Sequence, residues 1–272
     1  MPMDVPPFAP RPAAAQLLQG RRALVTGADS GIGQGIAYEL AAHGAAVAID
    51  HVGAPDVAEA MAEQIARGGG SAFALAMDVA DERAVEDGFA RAAERLGGLD
   101  LLVNNAGVEK QYPLVEMPFA EWQRVLAVNL TGVFLCSRAA ARLMTADGAS
   151  GPRAIVNVSS VHETIPWEGF SHYSATKGGV KLFAQSIAKE LAPHGVRVVN
   201  VAPGAIDTPI NAGVLADAEA RQAVEDQIPL GRWGTVGDVV GAVAWVASEQ
   251  AAYVTGTTLF VDGGMTTYPG FV

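Results

Sequence analysis

The amino-acid sequence predicts an α/β fold: a doubly wound, seven-stranded parallel sheet with helices on both faces, in a single domain. Three observations predict it. Seven short apolar runs recur along the chain, amphipathic patterns of helical period separate them, and a glycine-rich turn joins the first run to the first helical pattern.

The 272 residues suffice for a full core, and 50% of them are apolar, well above what a disordered chain carries. Residues 1–19 hold Pro2, Pro6, Pro7, Pro10 and Pro12 among alanines, a composition expected to form a loose arm outside the fold. The folded domain is therefore expected over 20–272. Strands are expected at 23–26, 45–50, 71–77, 100–104, 154–159, 196–202 and 257–262, mostly apolar at successive positions, as strands covered on both faces must be. The clearest helix is expected at 173–192, where Val180, Phe183, Ile187 and Leu191 recur at steps of three and four and Gly195 closes the run.

Composition removes several function classes. With 18 Lys and Arg against 29 Asp and Glu, the net charge of −11 argues against a nucleic-acid surface, which needs basic stripes. Cys136 is the only cysteine, so no internal disulfide framework exists and a reducing compartment is expected. No uncharged apolar run of about 20 residues occurs, and the first residues lack the charged-then-apolar order of a secretory signal. A cytoplasmic protein with no membrane partner is the expectation. His162-Glu163 opens an H-E-x-x-H zinc pattern, but Pro166 stands where the second histidine belongs, so no metal site is expected.

The first apolar run passes directly into Thr26-Gly27-Ala28-Asp29-Ser30-Gly31-Ile32-Gly33 and then a helical pattern. A pyrophosphate at a helix N-terminus must approach the backbone closely, and a Cβ there would block it. Asp50 ends the second strand, 17 residues beyond Gly33, and serves either as an acceptor for the adenosine ribose or as a turn aspartate. Asp78 follows the third strand, and Asn104-Asn105-Ala106-Gly107 follows the fourth, both at the carboxyl ends where open α/β sheets bind ligands.

Tyr173 and Lys177 stand four apart on the expected helix and share one face. A free phenol has a pKa of about 10, and a neighbouring ammonium is expected to lower it, giving a base for a substrate hydroxyl while hydride leaves the same carbon. Ser160, 13 residues earlier at a strand end, is placed to orient the substrate oxygen, while Ser159 must point to the opposite face. Gly178 and Gly179 inside the helix imply close packing there.

Taken in order, TGADSGIG at 26–33, NNAG at 104–107, VNLTG around Asn129, Ser160, YSATK at 173–177 and PGAIDT at 203–208 resemble the short-chain dehydrogenase/reductase family, from about residue 20 to the end. The resemblance implies a Rossmann-type fold, a nicotinamide cofactor and a small-molecule substrate. It implies that Tyr173 is the acid/base, that Lys177 lowers its pKa and holds the nicotinamide ribose, that Ser160 steadies the substrate, and that Asn129 anchors a proton-relaying water. An asparagine bonded to its own helix backbone is the alternative for Asn129. Cofactor contacts are implied at Gly27, Asp29, Ser30, Gly31, Ile32, Gly33, Asp50, Asp78, Val79, Asn105, Ala106, Gly107, Tyr173, Lys177, Pro203, Gly204, Ile206 and Thr208. Within the family, the segments at 159–179, 203–211 and 253–269 are similar to the bacterial glucose 1-dehydrogenase group, which implies oxidation of a sugar at its anomeric carbon. Glu109, His162 and Glu163 would then lie near the pocket mouth. A 3-oxoacyl or other ketone reductase, and a cofactor-binding sensor without useful catalysis, are the alternatives. Val52 stands where that group often carries an arginine, and His51 where many NAD-using relatives carry an acid. With an acid at Asp50 and no cation beside it, NAD is expected over NADP. Relatives usually form homotetramers by pairing helices that would here be about 118–145 and 173–192.

Overall fold

The computed structural model describes residues 16–146 and 151–267. Its strands are β1 (Arg22–Val25), β2 (Ala46–His51), β3 (Ser71–Ala76), β4 (Leu101–Asn104), β5 (Arg153–Val158), β6 (Val196–Pro203) and β7 (Thr257–Val261). The helices are α1 (Gly31–Ala42), α2 (Pro55–Arg67), α3 (Glu82–Leu96), α4 (Phe119–Leu126), α5 (Val133–Met144), α6 (Ser171–Leu191), α7 (Ala212–Ala216), α8 (Ala218–Glu225) and α9 (Val236–Ala247). All seven strands are parallel in the order β3-β2-β1-β4-β5-β6-β7, the doubly wound Rossmann-type sheet the sequence predicts.

Because successive strand residues face opposite sides, one run of apolar residues fills two cores. Val25, Ile49, Val103, Val156 and Val199 pack on one face against Ile36, Met61 and Val243 of α1, α2 and α9. Leu24, Ala48, Leu102, Ile155 and Val198 pack on the other against Phe89, Cys136 and Ala184 of α3, α5 and α6. Parallel register also lines up three polar residues: Asn157 pairs with Asn104 on one side and Asn200 on the other. Their amides join hand to hand, Asn104 Nδ2 donating to Asn157 Oδ1 at 2.9 Å and Asn157 Nδ2 to Asn200 Oδ1 at 2.9 Å.

Three expectations need correction. The arm was drawn to residue 19, and residues 1–15 lie outside the described ones. Leu18, however, is fully buried in the first core, and its N–H donates to His43 O at 3.0 Å, so the last arm residues belong to the fold. Helix α6 starts two residues before the expected 173, and Gly195 closes the region in the left-handed conformation after a short 3₁₀ turn. The helix expected near 118–145 is a rod in which a π-helical segment, Ala127–Gly132, joins α4 to α5. Phe119–Met144 has the length and mean hydropathy of a membrane span despite its charges, and Val125, Leu135, Cys136, Ala140 and Met144 are buried inside the molecule.

Candidate active site

A cleft of about 790 Å³ opens at the carboxyl edge of the sheet. Its floor begins with the glycine turn. Gly27 has φ +56°, and a Cβ there would sit 2.9 Å from Ala106 Cα. A Cβ on Gly33 would sit 2.3 Å from Gly27 O. Asn105 Nδ2 donates to the carbonyls of Thr26 and Gly27, and Thr26 Oγ1 accepts from the N–H groups of Asn105 and Ala106. The first turn of α1 has neither a side-chain cap nor an acidic residue, whereas α9 carries a full capping box of Thr235 and Asp238. N–H groups of a first helical turn have no partner in their own helix. That turn therefore offers unspent donors and a positive helix end, the donor set a dinucleotide pyrophosphate needs.

Asp50 is buried under this turn. One carboxylate oxygen accepts from Gly27 N at 3.1 Å, and the other has no partner within the protein. Burial, together with the charges of Asp29 and Asp78, pushes its carboxyl up to about 7, against the Gly27 N–H that favours the anion. The two readings of Asp50 thus merge, since it clamps the turn and keeps one free acceptor. Asp29, Ser30, Gly31, Ile32, Asp78, Val79 and Gly107 line the cleft beside it, as do Pro203, Gly204, Ile206 and Thr208 from the end of β6 and the loop after it.

Ser160, Tyr173 and Lys177 converge on the same cleft. Ser160 is buried, its Oγ accepts from His162 N at 3.2 Å, and it lines the cleft together with the Tyr173 phenol. Lys177 Nζ donates to Val158 O at 2.9 Å and lies 5.4 Å from the Tyr173 ring centre. Burial lowers the Lys177 ammonium to about 8, although Glu109 and Glu163 favour its charge. The Tyr173 phenol is pushed up, first by burial and then by the Glu109 carboxylate, with Ser160 pulling the other way. This reverses the expected direction. Desolvation of the phenolate dominates, and Lys177, whose own pKa is lowered to about 8, gives up its charge before the phenol ionises.

Asn129 is buried in the π-helical segment, and its amide both accepts from Val108 N at 2.8 Å and donates to Val108 O at 2.9 Å. It is not bonded to its own helix. Its side chain staples the loop that follows β4 to the rod, and π-helical turns of this kind recur at functional sites. Gly179 meets Leu130 of the same segment, where a Cβ would approach to 3.1 Å, while nothing lies within 4 Å of a Cβ at Gly178. Close packing holds for one of those two glycines only.

The far wall was not anticipated. His162 stacks on Trp167 with ring centres 4.4 Å apart, Trp167 stacks on Phe170 at 3.7 Å, and both His162 and Trp167 meet Tyr173 edge to face. Burial lowers the His162 pKa, so its ring is neutral at pH 7. Sequence offered a signal in the spacing of His162, Trp167 and Phe170, but only the 3₁₀ turn after β5 folds them into one stack. Of the three residues expected at the mouth, Glu109 and His162 line the cleft, and Glu163 does not. Its carboxylate is turned inward beneath Ser159. The described residues contain no cluster of three metal-ligating side chains.

A family model described as enoyl-(acyl carrier protein) reductase matches residues 27–266. The chain is similar to 3beta-hydroxysteroid dehydrogenase 1 of Eggerthella lenta, 46% identical over 255 residues that span 93% of this chain and 97% of that one. It is similar to glucose 1-dehydrogenase 2 of Bacillus subtilis, 39% identical over 253 residues, 93% of this chain and 97% of that one. The solved structure of a gluconate 5-dehydrogenase from Burkholderia cenocepacia J2315, in complex with NADP and tartrate, matches with a TM-score of 0.88 at 34% identity, over 94% of this chain and 100% of that one. Glucose dehydrogenase is thus one relative among several with different substrates. The chain belongs to the short-chain dehydrogenase/reductase family and is an oxidoreductase acting on CH–OH groups with NAD or NADP.

Proposed function

We propose that the protein oxidises a secondary alcohol carried on a six-membered ring, a sugar such as glucose at its anomeric carbon being the favoured case, with NAD preferred over NADP. The observation that carries this reading is the flat wall of His162 and Trp167 set edge to face against Tyr173. Both faces of the Trp167 ring are covered, by His162 and Phe170, so a substrate meets the edges of the stack, an apolar rim that rewards the apolar face of a pyranose or a cyclohexanol more than an open polar chain. Glu109, at the cleft side and acting on both Tyr173 and Lys177, adds an acceptor for neighbouring hydroxyls of a polyol. The names of the similar steroid and glucose dehydrogenases fit a ring alcohol as the common element.

The nicotinamide cofactor supplies the hydride acceptor when bound. Gly27, Gly31 and Gly33 keep side chains out of the pyrophosphate's way, Lys177 holds the ribose, and Ser160 positions the substrate oxygen. Tyr173, as its phenolate, takes the proton in oxidation and, as the phenol, gives it back in reduction. Its raised pKa favours the protonated form, and that observation supports a second reading, reduction of a 3-oxoacyl or other ketone.

The NAD preference rests on Asp29, Asp50 and Asp78 at the adenosine end, with Val52 exposed beside them and no Lys or Arg among the described residues lining that end. Each carboxylate near a 2′-phosphate costs about 1 kcal/mol even in water-like surroundings. Steady-state rates with NAD and NADP over glucose, rhamnose, cyclohexanol, a 3β-hydroxysteroid and an open-chain 3-oxoacyl thioester test the reading. A ring alcohol is expected to lead, with kcat/KM for NAD at least about tenfold above NADP. An open-chain substrate outpacing every ring would overturn it.

We further propose that the protein is a cytoplasmic homotetramer without nucleic-acid or membrane partners. Phe134 and Leu182, on α5 and α6, are exposed large apolar side chains and support the assembly.

A further inference from the structure

Glu163 has no contact with the cleft, yet it is the best-connected buried acid in the described chain. Its side chain has no exposed surface. Oε2 accepts from Ser159 Oγ at 2.6 Å and from Asn200 Nδ2 at 3.4 Å, and Oε1 accepts from Thr258 Oγ1 at 2.7 Å with Lys181 Nζ 3.7 Å away. It therefore terminates the amide ladder of Asn104, Asn157 and Asn200, and ties the turn after β5 to β6, β7 and α6. Burying a carboxylate is costly, and an apolar side chain of similar volume generally serves stability as well or better. What the acid adds is fixed direction, because each donor it binds must point at one place.

The donor that matters is Ser159. On its N-terminal side lies Val158, whose carbonyl receives Lys177 Nζ, and on its C-terminal side lies Ser160, which lines the cleft with Tyr173. Ser159 is itself held to the sheet, its N–H donating to Val201 O at 2.8 Å. We propose that Glu163 is a positioning residue for the whole set, fixing through Ser159 the backbone from which Ser160 projects and on which Lys177 rests. The proposal holds for whichever alcohol is the substrate.

The carboxylates whose charges act on Lys177 are Glu109, from the loop after β4, and Glu163, and on its own helix Tyr173 adjoins it. The cation beside Glu163 is Lys181. Removing one of the two acids lowers the Lys177 pKa further below about 8, with Glu109 left in place.

The test is a cycle of Glu163→Gln, Ser159→Ala and the double variant. It is assayed with the alcohol the parent turns over fastest, with NADH affinity from fluorescence titration and a thermal midpoint for each protein. Glu163→Gln is expected to lower kcat about tenfold or more, to leave NADH affinity within about twofold, and to move the alkaline limb of the pH–rate profile down by about one unit. Ser159→Ala is expected to lower kcat by less and leave that limb in place. The double variant is expected to be no worse than Glu163→Gln, since both act through one contact. A Glu163→Gln enzyme with a lowered thermal midpoint but parental kcat and pH profile, assayed well below that midpoint, would show a structural post only and overturn the proposal. If Glu163→Gln does not fold, Ser159→Ala decides: unchanged kcat overturns the proposal, and a fall in kcat at unchanged NADH affinity supports it.

Discussion

Lys177 carries a charge the fold resists. Its pKa is about 8 in the folded chain, against about 10.4 for a free lysine, so the unfolded chain binds more protons between these values. Below pH 8 the buried ammonium is a constant penalty, and the penalty disappears as pH rises from about 8 to 10.4, a change of about 3 kcal/mol at most. Lys177→Met is therefore expected to raise the thermal midpoint at pH 7 while lowering kcat at least about a hundredfold, and Tyr173→Phe to lose turnover while keeping NADH affinity. Calorimetry beside steady-state kinetics checks both. A methionine variant that melts earlier than the parent would mean that the bond to Val158 O outweighs the desolvation. The identity of these residues was legible from their order along the chain. The direction of the Tyr173 shift was not, because desolvation depends on Glu109, Ser160 and the aromatic wall, none of which a four-residue spacing can place.

Among the elements, the strands were the most legible. Runs such as 196–202 are apolar at five of seven positions and on both faces, and that pattern admits few structures other than a covered parallel strand. The rod of α4, the π-helical segment and α5 was legible in extent and not in form. One residue inserted into a helical turn leaves the hydrophobic period almost intact, so nothing in VNLTG announces it. The outer faces of α5 and α6 bear on assembly. Phe134 and Phe183 meet edge to face at 6.3 Å, and Leu182 on the same helix as Phe183 is 66% exposed, apolar surface a monomer would leave wet. Leu182→Glu is expected to shift the assembled protein toward smaller species without changing the fold. Sedimentation velocity with circular dichroism reads both, and a parent that already sediments as a monomer refutes the homotetramer.

For the whole molecule, the polar interior sets the response to pH. Asp50 titrates near 7 when folded and near 3.9 when unfolded, so the folded chain binds the extra proton and stability from this group is lost as pH rises from about 4 to 7. The loss amounts to about 4 kcal/mol at most. Asp50→Asn keeps an acceptor for Gly27 N–H and removes the charge, so the variant is expected to lose less stability than the parent between pH 5 and 7 in denaturant titrations. Identical pH slopes in the two proteins would contradict the assignment. Glu163 shows why such features escape a linear reading: a hydrophilic residue beside a histidine looks like surface, and its burial is set by Asn200 and Thr258, 37 and 95 residues away.

The first turn of α1, left without a side-chain cap, ties the lifetime of this protein to its diet of dinucleotide. A solute that binds only the native form at a hundred times its dissociation constant adds about 2.7 kcal/mol against unfolding. Saturation with coenzyme is therefore expected to raise the resistance of the chain to proteolysis, and its removal to lower it.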